Sequence, residues 1–224
     1  MDTDTEALRD RPPRDSISRS VGSEAVELRD AEDGGMPVLH GHFSVFDTWT
    51  EINSVYEGRF LERIAPTAFD KTFAENRASM RILFQHGKDP SIGDKPLAPI
   101  EDLRADETGA YYSGRLLDTS YNRDLVPGLR AGLYGASFRF SVVKEDFNRS
   151  AKRSAHNPEG LPERTVTEAR VMEFGPVTFG AYPDATAGVR AAYRSDTDEY
   201  LLLRFAQEPE RLAALIERVN QHGN

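Results

Sequence analysis

The chain contains no cysteine among its 224 residues. This absence excludes disulfide bonds, catalysis by a thiol and every metal site whose ligands include a thiolate. No apolar segment approaches the roughly 20 residues that are needed to cross a bilayer, and the N-terminus lacks the hydrophobic core of a secretion signal. We therefore expect no membrane partner and a protein that remains in the compartment where it is made.

Positive charge is scarce as well: 28 Lys and Arg residues stand against 37 Asp and Glu residues, which gives a net charge of -9. Affinity for nucleic acid comes mainly from basic side chains that displace counterions from phosphates. The charge balance therefore argues against a nucleic acid as partner. The residues that are present, 38% hydrophobic with 17 Gly and 13 Pro, are typical of a globular protein with many turns.

The length favours one folded domain with an extension at each end. Residues 1–14 are predicted to be a disordered acidic tail, because apolar residues are too sparse there to pack a core. Residues 15–190 are predicted to form the folded domain. Residues 191–224 are predicted to be a helical extension, whose amphipathic spacing is carried by Leu212, Leu215, Ile216 and Val219.

Hydrophobic periodicity predicts mainly strands in the folded domain. Residues 16–28 and 36–46 are expected to form a hairpin with the first strand at a sheet edge. Helices are expected at residues 68–77, where Phe69 and Phe73 would face the core, and at residues 121–129. Further strands are expected at residues 81–86, 97–103, 110–117, 132–143 and 165–179, with an exposed loop over residues 148–162.

Residues 135–139 read GASFR, which is half of the Gly-x-Ser-x-Gly motif that presents a nucleophilic serine. Gly135 would leave open space beside the hydroxyl of Ser137. Taken alone, a serine in a strand is more often a small polar residue than a nucleophile. A catalytic serine also needs a base within hydrogen-bond reach and a third group that orients the base.

The base must come from five histidines, which are His40, His42, His86, His156 and His222. His156 lies in the polar loop and His222 in the C-terminal extension, so a solvated position is expected for both. His40 and His42 stand two residues apart and could share a metal, but no third ligand is identifiable. His86 ends an apolar strand face, and its alternative interpretation is a hydrogen-bonded core histidine.

The orienting acid is expected on the last strand of the domain. Strict alternation would put Val171, Glu173, Gly175 and Val177 on one face. A carboxylate on an otherwise apolar face needs a partner, because burial of an isolated charge is unfavourable. Glu173 is therefore the first choice, and Glu168 on the opposite face is the fallback.

Several segments between residues 41 and 187 carry a family resemblance. They are GHFSVF at residues 41–46, FLERIAPTAF at 60–69, LFQH at 83–86 with SIG at 91–93, GAY at 109–111 with LLDT at 116–119, GLYGASFRF at 132–140 and VMEFGPVTFGAYP at 171–183. In order and content they resemble the prohead proteases of tailed bacteriophages, which are related in fold to the herpesvirus capsid proteases called assemblins. The sequence departs from the family pattern at Thr67, Gly87 and Gly180, and Gly175 with Pro176 would interrupt the last strand.

The resemblance implies an α+β fold with a closed or nearly closed, mostly antiparallel β-barrel surrounded by helices. It also implies a serine endopeptidase with Ser137 as nucleophile and His86 as general base. Glu173, or Glu168 in its place, would orient the histidine. Backbone N–H groups of Gly180 and Ala181 would form the oxyanion hole, and neither a metal nor an organic cofactor would be needed.

The same resemblance implies a substrate and a location. The substrate would be the scaffolding segment of the major capsid protein, cleaved inside the immature prohead of a phage or prophage in the bacterial cytoplasm, followed by self-cleavage. For the oligomeric state, a homodimer is one alternative, because the related assemblins dimerise. The alternatives are a non-hydrolytic capsid-assembly or scaffold-binding protein on the same barrel, and a barrel that binds a small ligand. The presence of both His86 and Ser137 favours the enzyme.

Overall fold

The fold was obtained as a computed structural model, which describes residues 11–22, 25–54 and 56–178. The predicted C-terminal helix, His222 and the oxyanion residues Gly180 and Ala181 lie outside the described residues. So do residues 1–10 of the predicted tail, and the limits of the predicted domain stay predictions. In the described part of the chain, neither helix combines the length and the apolar character that crossing a bilayer requires.

Strands dominate the described residues, and helices are few. The strands are β1 (Ile17–Val21), β2 (Val26–Arg29), β3 (Val38–Val45), β4 (Thr50–Ser54), β5 (Gly58–Ile64), β6 (Arg81–Ile82), β7 (Asp102–Ala105), β8 (Gly109–Arg115), β9 (Gly135–Asn148) and β10 (Glu163–Val177). The helices are α1 (Asp70–Asn76) and α2 (Ser120–Arg130), with short 3-10 turns at Arg77–Ser79 and Gln85–Gly87. The predicted α+β class is confirmed, as are both predicted helices and the loop between β9 and β10.

The strands form two sheets. One has the order β1-β9-β10-β5-β4, with β6 also paired to β10, and the other has the order β2-β3-β8-β7. Pairing is antiparallel except where β10 runs parallel to β5 and β6. In the first sheet β1, β4 and β6 each pair with one strand only, and in the second sheet β2 and β7 do. Within the residues that the structure describes, the strands thus form two sheets and no closed barrel, and the expected closed or nearly closed barrel stays a prediction.

An aromatic cluster joins the two sheets. Phe43 of β3 is fully buried and stacks on Phe174 of β10, with 4.4 Å between ring centroids. It also packs against Phe138 of β9 at 5.3 Å and Phe69 at the start of α1 at 5.6 Å. Because side chains alternate along a strand, the residues next to Phe138 and Phe174 point to the opposite face of the sheet. That face carries Ser137.

Three local predictions are wrong. Residues 16–28 contain two strands, because β1 pairs with β9 of one sheet and β2 pairs with β3 of the other; only β2 pairs with β3 as predicted. The segment 97–103 is irregular until Asp102, since Pro99 has no N–H to donate to a ladder. The strand expected over residues 81–86 ends at Ile82 and gives way to the second 3-10 turn.

Candidate active site

His86 lies in that 3-10 turn, with a left-handed backbone (φ 57°) that follows the left-handed Gln85 (φ 51°). Such values are uncommon outside glycine and are often found at functional positions. Nδ1 of His86 is 2.7 Å from Oε1 of Glu173, and the two side chains are only 7% and 4% exposed. Since Nδ1 is engaged by the carboxylate, Nε2 is the ring nitrogen that would accept a proton from a nucleophile.

A β-bulge gives Glu173 its orientation. Val171 pairs with Phe140 and Glu173 pairs with Arg139, so that Met172 is an extra residue in β10. An extra residue reverses the side-chain alternation of a strand. Val171 accordingly lies in the hydrophobic core, whereas Glu173 shares the opposite face with Arg139. The predicted common face for Val171 and Glu173 is therefore wrong, although the structure does bring Glu173 to His86.

Gly175 allows the histidine segment to approach β10 closely. A Cβ at this position would lie 2.1 Å from the carbonyl oxygen of Leu83. The N–H group of Leu83 donates a hydrogen bond to the carbonyl oxygen of Phe174 at 3.0 Å. Gly175 is also the register partner of Ser137. The predicted interruption at Gly175 and Pro176 is wrong, because β10 continues to Val177. Glycine instead brings the segment that leads to His86 beside the strand pair that carries Ser137.

Ser137 is fully buried on β9, between Gly175 of β10 and Ser20 of β1. Its Oγ donates a hydrogen bond to the carbonyl oxygen of Arg19 at 2.9 Å. A hydroxyl group has one hydrogen. In this orientation the hydrogen of Ser137 is directed at a backbone carbonyl oxygen.

A second contact links the segments of the histidine and the serine. Phe84, two residues before His86, meets Tyr134, three residues before Ser137, edge to face with 5.4 Å between ring centroids. The 3-10 turn itself lies against both β9 and β10. His86 and Ser137 are thus carried by neighbouring segments that pack directly on each other.

Arg139 is a member of this face that sequence reasoning missed. It stands two residues after Ser137, and its Nε is 3.6 Å from the same Glu173 oxygen that binds His86. The signal was present in the sequence, because residues i and i+2 of a strand share a face. The pairing with Glu173 was not visible, since the bulge at Met172 determines it.

Glu168, the fallback acid, pairs with lysines instead. It lies 3.5 Å from Nζ of Lys71 and also contacts Nζ of Lys144. The hydrogen bond from Lys144 holds the pKa of the Glu168 carboxyl below its usual value. Of the two candidate acids, only Glu173 has its carboxylate against His86.

The other described histidines have structural contacts. His42 Nε2 lies 2.8 Å from Oδ2 of Asp106, and His156 stacks on Trp49 with ring centroids 5.1 Å apart. Burial lowers the pKa of His40. Within residues 11–22, 25–54 and 56–178, no group of three His, Asp or Glu side chains is arranged to hold a metal ion.

Comparisons with known proteins extend the picture. A solved structure with a similar chain is that of the bacteriophage T4 capsid assembly protease gp21, with 15% sequence identity, coverage of 73% of this chain and 96% of that chain, and a TM-score of 0.46. A comparison with curated proteins found no match. The sequence model of the caudovirus prohead serine proteases matches residues 24–199, which is well over half of the chain, and the predicted resemblance is confirmed. The protein therefore belongs to the caudovirus prohead serine protease family.

Proposed function

We propose that the protein cleaves the scaffolding segment of the major capsid protein, and afterwards itself, during maturation of a tailed-phage prohead. Membership of a serine protease family supports peptide hydrolysis as the reaction. The observation that carries the residue assignment is the buried contact between His86 Nδ1 and Glu173 Oε1, on segments that pack beside the strand of Ser137.

In the proposed mechanism, Ser137 Oγ attacks the carbonyl carbon of the scissile peptide bond. Nε2 of His86 accepts the hydroxyl proton and then donates it to the leaving amine. The ionised Glu173 keeps the imidazole proton on Nδ1 and stabilises the imidazolium that forms. Water then attacks the acyl-enzyme by the same route in reverse, so this chemistry requires neither a metal nor an organic cofactor.

Rotation of the Ser137 hydroxyl precedes attack. In the orientation that the structure records, Oγ donates to the Arg19 carbonyl oxygen, 2.9 Å away. Rotation about the Cβ–Oγ bond redirects the hydrogen, which is then donated to Nε2 of His86. The backbone N–H groups of Gly180 and Ala181 are proposed as donors to the oxyanion, because the family resemblance aligns them with the loop after the last strand.

We also propose that the two sheets are the halves of a herpesvirus-protease-like barrel. This is supported by the packing of Phe43 on Phe138 and Phe174 of the other sheet. It is further supported by the approach of both β1 and β9 to β3.

The proposed place of action is the interior of the immature prohead in the host cytoplasm, where the capsid protein and its scaffolding segment are the partners. A homodimer is proposed by analogy with the assemblins. Size-exclusion chromatography with light scattering over a range of protein concentrations tests the dimer, which is ruled out if the mass stays at that of one chain.

The test of the function is co-expression with the capsid gene of the same phage, with product masses measured by mass spectrometry. The wild type is expected to shorten the capsid protein, and Ser137→Ala is expected to leave it intact. Ser113→Ala is the matched control, because Ser113 is also a buried strand serine but lies in the other sheet. Equal shortening by wild type and Ser137→Ala would refute the nucleophile. Intact capsid protein with every variant would favour the scaffold-binding alternative.

A further inference from the structure

One carboxylate oxygen of the candidate site faces two groups that can carry positive charge. Oε1 of Glu173 lies 2.7 Å from Nδ1 of His86 and 3.6 Å from Nε of Arg139. Glu173 and Arg139 are also register partners of β10 and β9. The Glu173 side chain is 4% exposed and the Arg139 side chain 26%, so solvent screens their interaction little.

The second carboxylate oxygen of Glu173 does not help to fix the orientation of the side chain. Oε2 is buried and has no hydrogen-bond partner among the described residues. The orientation of the carboxylate therefore depends on what contacts Oε1. At 3.6 Å the contact with Arg139 is an ion pair and not a hydrogen bond, which leaves the hydrogen-bonding position to His86.

Two other charged residues near His86, Arg81 and Asp89, bind backbone groups. Arg81 of β6 is also a register partner of Glu173, but its Nη1 donates to the carbonyls of Ala78 and Met80 at 2.9 and 2.7 Å. The segment after His86 supplies Lys88, Asp89 and Asp94. Asp89 accepts the N–H groups of residues 91 and 92, and the backbone of Asp94 packs on Gly87.

We propose that Arg139 is a positioning residue of the active site, which holds the Glu173 carboxylate in the orientation that His86 requires. This inference rests on the proposed function of His86 and Glu173. Arg139 also limits how strongly Glu173 favours the imidazolium, because its own positive charge lies on the same face. A base that is not locked in its charged form is available to accept a proton near neutral pH.

The test is an NMR titration of His86 in the full chain, with its signal identified by His86→Ala. Removal of the guanidinium in Arg139→Gln is expected to raise the midpoint of the His86 titration by about one pH unit. Arg139→Lys keeps a positive charge and is expected to stay closer to the wild type. Arg81→Gln is the matched control, because it removes a register partner of Glu173 whose guanidinium is held by carbonyls.

The same variants are compared in cleavage of capsid protein as a function of pH. In Arg139→Gln, the acid limb of kcat/KM is expected to move to higher pH with the NMR midpoint, while KM stays near that of the wild type. An unchanged midpoint, or equal shifts in Arg139→Gln and Arg139→Lys, would overturn the proposal. If Arg139→Gln does not fold, Arg139→Met, which keeps the apolar stem, carries the same expectation.

The two proposals fail separately. The NMR midpoint reports the coupling of Arg139 to His86 whether or not capsid protein is cleaved. Loss of the proposed function would appear as cleavage by Ser137→Ala, with the midpoint shift in Arg139→Gln unaffected.

Discussion

His86 Nδ1 and Glu173 Oε1 are 2.7 Å apart, although the two residues are separated by 87 positions in the chain. The contact joins a left-handed 3-10 turn to a bulged strand, and both side chains are nearly buried. In this arrangement the carboxylate determines which imidazole nitrogen carries the proton. The proposed mechanism starts from this pair, because it leaves Nε2 of His86 as the nitrogen that accepts a proton.

Glu173→Gln is expected to lower the rate of capsid-protein cleavage by about 10²–10⁴-fold, because an amide no longer stabilises the imidazolium or fixes its tautomer. Glu168→Gln is the matched control. Its lysine partners are 58% and 70% exposed, so little change is expected. Initial rates at saturating substrate measure both effects. A larger loss in Glu168→Gln would contradict the assignment of the acid.

Sequence alone pointed to a pair of residues that the structure brings together. The family resemblance identified His86, Ser137 and Glu173, and two of these now lie in direct contact. The alternation that put Val171 and Glu173 on one face was wrong, because a bulge depends on pairing with a strand about 30 residues away and leaves no local signal.

The backbone conformation of the segment that leads to His86 could not be predicted from its hydrophobic alternation either. Ile82, Phe84 and His86 alternate as in a strand, yet the backbone turns left-handed at Gln85. Tertiary contacts accompany that turn: Leu83 N–H donates to β10, and Gln85 contacts Thr178. The pairing of β1 could not be predicted from local sequence either, because its partner β9 is distant in the chain.

Gly175→Ala is expected to destabilise the protein by about 1–3 kcal/mol and to reduce cleavage, because the new Cβ would lie 2.1 Å from the Leu83 carbonyl oxygen. Displacement of Leu83 moves the segment that leads to His86. Gly132→Ala is the control, since Gly132 has φ +66° with open space around its Cβ position, and it is expected to cost about 1 kcal/mol with activity kept. Thermal unfolding measures the stability of both variants, and cleavage rates measure their activity. Equal activity in both variants would contradict the prediction that Gly175 positions the segment of His86.

Arg164→Met is expected to lower the free energy of unfolding by about 3 kcal/mol, because it leaves two buried carboxylates short of a partner. Arg164 has a fully buried side chain that pairs with Glu62 at 3.2 Å and Glu145 at 2.7 Å. Arg59→Met is the matched control: Arg59 also binds two carboxylates, but all three side chains are at least 36% exposed, so about 0–1 kcal/mol is expected. Denaturant unfolding measures both, and equal losses would show that burial of the network has no effect.

Tyr112→Phe is expected to leave the free energy of unfolding unchanged or to raise it by about 1 kcal/mol. Burial raises the pKa of Tyr112, so the hydroxyl stays neutral, and it has no hydrogen-bond partner within the described residues. Tyr121→Phe is the control, because the Tyr121 hydroxyl donates to the Pro96 carbonyl at 3.0 Å and its loss is expected to cost about 1 kcal/mol. A destabilised Tyr112→Phe would reveal a partner for that hydroxyl.

The most direct test of the central claim is labelling with a fluorophosphonate, which forms a covalent bond with an activated serine. Mass spectrometry of the wild type after proteolysis is predicted to find the label on the peptide that contains Ser137. His86→Ala is predicted to lose the label, and Ser113→Ala is predicted to keep it. Labelling of a different serine, or undiminished labelling of Ser137 in His86→Ala, would contradict the claim that His86 activates Ser137.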